Sequence, residues 1–115
     1  MTNKRLDLNA LEQPTLELTL LDDNKTTVHM TLPELGLIER LIAVAPELEN
    51  IRKAQNAKDI KKLYDLAADL ISNNEEGLKV TAEELRVKYK VRFLHLIFIF
   101  RNYLDLIKDL QNEKN

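Results

Sequence analysis

The chain of 115 residues is long enough to bury one hydrophobic core, and its 44% hydrophobic and 31% charged residues predict a folded protein. A formal net charge of −2 provides no general attraction to nucleic acid or anionic lipid, and the absence of cysteine excludes disulfides and thiolate sites. With two glycines and three prolines, most residues are expected in regular elements, and we predict a single domain over residues 1–115.

Residues 15–32 carry the period of two that is typical of half-buried strands, in two runs separated by the turn-forming segment Asp22–Lys25. We therefore predict a β-hairpin over residues 15–32. Its apolar face consists of Leu16, Leu18, Leu20, Val28 and Met30. Because an isolated hairpin is marginally stable in water, helices of the same chain or strands of another copy must cover this face. We assign these five residues to a predicted oligomerisation edge.

Residues 33–111 are predicted to form a helical region. Thr31 and Glu34 have the spacing of a capping box, and Pro33 is tolerated in a first helical turn, so the first helix is expected to start here. Its predicted apolar stripe consists of Leu35, Ile38, Leu41, Ile42 and Ala45. Pro46 is expected to end or kink this helix one or two residues earlier.

A second helix is predicted to start at Asn56 or Asp59 and to end at Ser72. Its apolar side consists of Ile60, Leu63, Tyr64, Ala67, Leu70 and Ile71. The Asn- and Gly-containing segment 73–77 follows and is expected to break the helix, since these residues readily adopt left-handed conformations.

The last helical stretch is expected to start at a second capping-box pattern, Thr81–Glu84, and to reach Gln111 with a break near Lys90. Residues 1–13 and 112–115 are candidates for flexible ends. The expected fold class is α+β and mostly helical, with an N-terminal β-hairpin followed by three to four α-helices.

The two histidines show no pattern of a metal or catalytic site. His29 is expected at an exposed strand position, and His95 lies in an apolar run, where a half-buried structural histidine is expected. With two glycines, the chain has no glycine-rich phosphate loop. We therefore predict that the protein is not an enzyme and uses no cofactor, metal or catalytic residue.

No secretory signal or membrane span is predicted. Residues 1–5 are not followed by an uninterrupted apolar stretch. The longest apolar run, residues 93–100, is far shorter than the roughly 20 residues that a helix needs to cross a bilayer. The cytosol is the expected compartment, and a membrane is not an expected partner.

One basic cluster, formed by Arg86, Lys88, Lys90 and Arg92, alternates with apolar residues. On a helix these positions would spread over different faces, and the whole chain is acidic, so nucleic acid is not an expected partner. The alternation would also suit a short strand. An alternative function therefore stays open: a small phage or bacterial regulatory protein that binds nucleic acid through residues 86–92.

Residues 93–100 are apolar beyond one helical stripe. Either the rest of the chain wraps this helix as a core element, or part of its surface binds another chain, because large exposed apolar patches usually mark interaction sites. The predicted protein-binding residues are Phe93, Leu94, Ile97, Phe98, Ile99 and Tyr103. The hypothesis is that Phe98, Ile99 and their neighbours face a partner while the hairpin edge mediates assembly.

Four stretches in this order and spacing resemble the tail assembly chaperones of long-tailed, siphovirus-type bacteriophages of Gram-positive hosts. They are the hairpin with Thr31–Leu35, then Lys62–Leu66, Ile71–Leu85 and Phe100–Ile107. The resemblance covers residues 14–110, and residues 88–92 are more basic than the family leads us to expect.

This resemblance implies a mostly helical α+β fold, self-association, and binding to the tape measure protein, a long hydrophobic helical chain that must stay soluble until tail tube subunits polymerise around it. Some family members have a longer form, made by ribosomal frameshifting, that recruits the tail tube protein. The implied location is the host cell cytoplasm, with the protein absent from the mature virion.

Overall fold

The computed structural model describes residues 14–49 and 57–112, with side chains over 14–46 and 60–109. In chain order the elements are β1 (Leu16–Thr19), β2 (Thr27–Met30), α1 (Leu35–Glu49), α2 (Ala57–Ile71), α3 (Ala82–Val87) and α4 (Phe93–Asn112). The predicted fold class, mostly helical α+β with an N-terminal hairpin and three to four helices, is confirmed for this part of the chain. Of the predicted flexible ends, residues 1–13 and 113–115 lie outside the described residues, and Asn112 is the last residue of α4.

The hairpin forms as the alternation predicts. β1 and β2 are antiparallel, with Leu16 opposite Met30 and Leu18 opposite Val28. Asp22 closes the turn because its carboxylate accepts both the hydroxyl of Thr26, at 2.5 Å, and the backbone N–H of Thr26, at 2.8 Å. These hydrogen bonds, led by the one from the hydroxyl, lower the pKa of Asp22.

The predicted start of α1 was wrong, and the helix does not end before Pro46. Thr31 does not cap this helix; its hydroxyl donates to the carbonyl of Asn73 at 3.3 Å, and the first turn is closed by the Glu34 carbonyl. Pro46 lies inside α1, which continues to Glu49. Proline has no backbone N–H, so Pro46 leaves the carbonyl of Ile42 without its helical hydrogen bond. Ile42 is exposed, and water can donate to this carbonyl instead.

The apolar stripe of α1 also differs from the prediction. Leu41 is fully buried, as expected, but Leu35 and Ile42 are 69% and 56% exposed. The side that faces the core carries Leu37, Leu41 and Val44. The helix is rotated away from the predicted stripe because it packs between α2 and α4, and an ion pair from Arg40 to Asp69 of α2, 2.6 Å long, joins the two helices at the surface.

Helix α2 is the centre of the fold, since it packs against the other three helices and against β2. Its predicted apolar side is confirmed, and the side chains buried along it are Leu63, Tyr64, Leu66, Ala67, Ala68, Leu70 and Ile71. Ile60 is half-buried against the same core.

Two asparagines organise the connection from α2 to α3. The Asn73 side chain donates to the carbonyls of Thr31 and Leu32, at 3.2 and 3.1 Å. The Asn74 side chain donates to the carbonyls of Ile71 and Leu78, at 2.6 and 2.8 Å, and accepts the Leu78 N–H at 3.0 Å. This connection therefore joins the end of α2 to the end of the hairpin.

The second capping box is confirmed: Thr81 accepts the backbone N–H of Glu84, and the Glu84 carboxylate accepts that of Thr81, each at 3.1 Å. The break near Lys90 is also confirmed, because Lys90 adopts a left-handed φ of 53° between α3 and α4. A turn rather than a short strand forms here. The Val91 carbonyl, immediately after Lys90, accepts the buried Tyr64 hydroxyl at 2.7 Å.

Candidate protein-binding surface

Helix α4 has an apolar residue on almost every side, and only one side faces the core. The fully or nearly fully buried residues of this helix are Leu96, Ile99, Phe100 and Tyr103. On the opposite side, Leu94 is 77% exposed and Phe98 is 67% exposed. Leu94 and Phe98 lie one helical turn apart and are neighbours on the helix surface. We call these two residues the α4 apolar row.

The six predicted protein-binding residues therefore divide into three groups. Leu94 and Phe98 are exposed, and Phe93 and Ile97 are half-buried against the core. Ile99 and Tyr103 are buried, which corrects their place in the predicted surface. They lie one turn apart on the inward side, and the Tyr103 hydroxyl donates to the carbonyl of Thr31. Burial raises the pKa of Tyr103 to about 12, so this hydroxyl stays a donor at neutral pH.

The row continues along α4 into charged residues. Arg101 follows Phe98 by one turn and Asp105 follows Arg101, and both are exposed. At the other end, Arg92 precedes the helix and is also exposed. Arg92 lies two positions before Leu94 and therefore on a different side of the helix, so the charges that follow the apolar row on its own side are those of Arg101 and Asp105, one of each sign.

The basic cluster is more exposed than the helical interpretation implied. Arg86, Lys88, Lys90 and Arg92 are all exposed, whereas the intervening Tyr89 and Val91 are 3% and 4% exposed. The end of α3 and the turn after it bury these two apolar side chains, and the cations between them point to water. The Lys88 ammonium also lies 5.2 Å from the ring centre of Tyr89, within cation–π distance.

The side chains of the predicted oligomerisation edge lie in the core or pack against it. Leu20, Val28 and Met30 are buried, and Leu16 and Leu18 are half-buried against the same core. These side chains therefore stabilise the chain itself and are not the contacts that another copy would reach. Helices of the same chain cover the hairpin face, which is one of the two arrangements that the sequence left open.

The outer edge of β2 is occupied by residues 73–76. The N–H of Thr31 donates to the carbonyl of Asn73 at 2.9 Å, and the N–H of Glu75 donates to the carbonyl of His29 at 3.0 Å. The backbone N–H and carbonyl of His29 both point away from β1. The backbone N–H and carbonyl of Glu17, its partner on β1, therefore point away from β2. Within the described residues, the backbone of β1 around Glu17 is the sheet edge that has no strand beside it.

His29 has an acidic partner that its sequence neighbours did not reveal. Its Nδ1 lies 2.6 Å from one oxygen of Glu76, and its backbone N–H donates to the other oxygen at 2.7 Å; the two residues are 47 positions apart. The hydrogen bond that the ring of His29 makes to the Glu76 carboxylate raises the pKa of His29, and the bonds that this carboxylate accepts from the backbone and ring of His29 lower the pKa of Glu76. This pair attaches the α2–α3 connection to β2.

The His29–Glu76 pair is expected to contribute to stability within a limited pH window. Because the pKa of His29 is raised in the folded protein, its contribution to the free energy of unfolding is fully present below pH 6.5, the ordinary pKa of histidine. That contribution is lost as the pH rises through the raised pKa. Because the pKa of Glu76 is lowered in the folded protein, its contribution to the free energy of unfolding is fully present above pH 4.5, the ordinary pKa of glutamate. That contribution is lost as the pH falls through the lowered pKa. The stability difference between wild type and His29→Gln, measured by urea unfolding, should therefore be largest between pH 4.5 and 6.5. A difference that does not change with pH would contradict this prediction.

His95 has a structural role. Its Nδ1 accepts the backbone N–H of Arg92 at 2.8 Å, while the carbonyl of Arg92 accepts the N–H of His95 at 3.0 Å. This reciprocal pair closes the first turn of α4 as a capping box would. Among the side chains that the structure describes, no group of three or more His, Asp or Glu residues converges at metal-binding distance.

Two of the open clefts in the described part of the chain lie along α2. The larger, about 740 Å3, lies between α2 and α3 and is lined by Ile60, Lys61, Tyr64, Asp65, Thr81, Ala82, Glu83 and Arg86. The smaller, about 430 Å3, lies between α1 and α2 and is lined by Arg40, Ala43, Val44, Lys62, Leu63, Asp65 and Leu66. Both mix charges of each sign with aliphatic carbon, so neither selects one chemical class of ligand.

The fold and this surface define the described chain as a mostly helical α+β protein whose longest helix presents an apolar row to solvent. No protein-family model, curated protein or solved structure matches this chain. Among the helices of residues 14–49 and 57–112, none has the length and apolar character needed to cross a membrane.

Proposed function

We propose that the protein is a tail assembly chaperone of a long-tailed bacteriophage of Gram-positive bacteria. It binds the hydrophobic helical tape measure protein and keeps it soluble until the tail tube assembles. It acts by protein–protein contacts in the host cytoplasm, without catalysis or cofactor, and is absent from the mature virion. The order and spacing of the four sequence stretches that resemble this family support the proposal.

The exposure of Leu94 and Phe98 is the observation that carries the proposal. Fully burying a leucine or phenylalanine side chain contributes roughly 1.5–3 kcal/mol, so covering both residues, which are about two-thirds exposed or more, would contribute roughly 2–4 kcal/mol before association entropy is subtracted. A helix that inserts residues at three- and four-residue spacing matches a row of this kind. Such modest energy suits a chaperone that must release its client.

Self-association is part of the same proposal. The β1 edge around Glu17 can pair with a strand of another copy, and several copies could then cover a long client. A longer, frameshifted form would add recruitment of the tail tube protein. Of the predicted edge, the β1 backbone remains in this role, because the side chains that line the inner face are used by the core.

The test combines light scattering with one pair of variants. The wild type is expected to form concentration-dependent oligomers and to keep a hydrophobic helical segment of a tape measure protein in solution. Phe98→Asp is expected to weaken client binding at least tenfold, because a carboxylate would have to be desolvated in the contact. Phe98→Leu keeps an apolar side chain and should retain binding. A strictly monomeric wild type that leaves the client insoluble would overturn the proposal.

The exposed basic cluster favours a second candidate function, a small regulatory protein that binds nucleic acid through residues 86–92. Four exposed cations at the end of α3 and in the turn after it carry the positive charge that phosphate contacts require. A gel shift that weakens steeply with added salt, together with indifference to the tape measure segment, would favour this function over the chaperone.

A further inference from the structure

Residues 75–77 form a short exposed loop on the outer edge of β2, and we call this loop the flap. Its base is fixed, because the Asn74 side chain accepts the N–H of Leu78 at 3.0 Å and donates to the carbonyl of Leu78 at 2.8 Å. Gly77, the last flap residue, has a left-handed φ of 76°. Since glycine adopts both signs of φ readily, the flap has the backbone freedom to move over its fixed base.

His29 holds the flap on β2. Its backbone carbonyl accepts the N–H of Glu75 at 3.0 Å, and its backbone N–H donates to the Glu76 carboxylate at 2.7 Å. The other oxygen of this carboxylate lies 2.6 Å from Nδ1 of His29. The two side chains are 40% and 38% exposed, so their pairing is of modest strength. A contact of this strength can control the opening of a loop without controlling the fold of the whole chain.

The part of the connection before the flap is held differently. The carbonyl of Asn73 accepts the N–H of Thr31 at 2.9 Å, and the Asn73 side chain donates to the carbonyls of Thr31 and Leu32. These bonds join backbone and amide groups, which do not titrate near neutral pH. Of the two parts that cover β2, only the flap is therefore held by an ionisable group.

Three carboxylates act on the His29 ring. Glu75 and Glu76 belong to the flap, and Glu17 of β1 is the cross-strand partner of His29. The hydrogen bond to Glu76, together with the negative charges of the three residues, raises the pKa of His29 above its ordinary value of 6.5. By linkage, the protonated ring holds the flap fully below pH 6.5, and this hold weakens as the pH rises through the raised pKa.

We propose that the flap is a pH-sensitive cover on the outer edge of β2, closed while His29 is protonated and opened more often once the ring is neutral. A neutral imidazole can still donate to Glu76, but it lacks the charge that strengthens the bond. Opening frees the backbone N–H and carbonyl of His29, the groups through which a sheet edge pairs with another strand. The cover thus blocks this edge most completely at mildly acidic pH. This inference does not depend on the chaperone function.

Hydrogen exchange of the full chain, measured by NMR at about pH 5.5 and about pH 8, tests the proposal. The Thr31 N–H, which is bonded to Asn73, is the internal reference, because the intrinsic pH dependence of exchange cancels in a ratio of two amides. The exchange rate of the Glu75 N–H relative to that of Thr31 is expected to rise roughly threefold or more between these pH values. The N–H of His29, bonded to Glu76, should show the same rise.

Three variants identify the group responsible, and circular dichroism checks that each one folds. In His29→Gln and Glu76→Gln the ratio should not change with pH, because the ionisable pair is gone. Glu17→Gln also removes a carboxylate near His29, but Glu17 is not the hydrogen-bond partner of the ring, so the rise should persist. A ratio that stays constant in the wild type would overturn the proposal, because the flap would then open only together with the Asn73 part. A rise that persists in His29→Gln would overturn it by assigning the pH dependence to another group.

Discussion

Phe100→Ala is expected to lower the free energy of unfolding by about 3–5 kcal/mol, the range for removing a buried phenylalanine from a packed core. Phe100 is 0% exposed and lies among the core residues of α4, where the other elements cannot collapse fully into the space left by the ring. Urea unfolding at one fixed protein concentration measures the effect, since self-association would otherwise change the apparent stability.

Phe98→Ala is the matched control, because it removes the same side chain from the same helix two positions away. Phe98 is 67% exposed, so the change should alter the free energy of unfolding by no more than about 0.5 kcal/mol. The two variants also distinguish the two sides of the apolar run. A loss of several kcal/mol in Phe98→Ala would mean that this side chain stabilises the fold or an obligate oligomer.

Asn74→Ala is expected to cost roughly 2–3 kcal/mol, on the basis of three hydrogen bonds of about 1 kcal/mol each. The Asn74 side chain holds the carbonyls of Ile71 and Leu78 and the N–H of Leu78, all partly buried. Alanine would leave these backbone groups without their partner. The connection that covers the outer edge of β2 should loosen first, which hydrogen exchange at the N–H groups of Thr31 and Glu75 would detect.

Asn24→Ala provides the comparison for this variant. Asn24 lies in the exposed turn of the hairpin, so its replacement should change the free energy of unfolding by less than about 0.5 kcal/mol. Asn74→Asp retains the acceptor oxygen but loses both donated bonds, and its stability should fall below that of wild type. An Asn74→Ala protein as stable as wild type would mean that water replaces the side chain at no net cost.

Local patterns predicted the secondary structure well where the interactions that decide it are short in range. The alternation of residues 15–32 set the hairpin, and the Thr81–Glu84 spacing set the start of α3, because the groups involved are close in sequence. The start of α1 was predicted wrongly because the contact that decides the role of Thr31 is long in range. Thr31 had a local partner in Glu34 but contacts Asn73 instead, 42 positions away.

The candidate surface was predicted in part. The run 93–100 indicated more apolar surface than one stripe, and Leu94 and Phe98 are exposed. Periodicity did not show that Ile99 is buried, because it gives the angles between side chains and not the side that the rest of the chain covers. For residues 86–92 the sequence predicted a break near Lys90 but left open a helix or a short strand around it, and the structure has the end of α3 and a turn, with all four cations exposed.

The sequence by itself determined that the described chain is a hairpin followed by amphipathic helices, that α3 starts after Thr81 and a break follows near Lys90, and that apolar surface is concentrated near its C-terminal helix. Only the tertiary structure decided which side of α1 and α4 faces inward, that residues 73–76 cover β2, and that His29 meets Glu76. The physical reason is distance along the chain. Periodicity and capping act between residues a few positions apart, whereas burial and these hydrogen bonds depend on packing between elements that are dozens of residues apart.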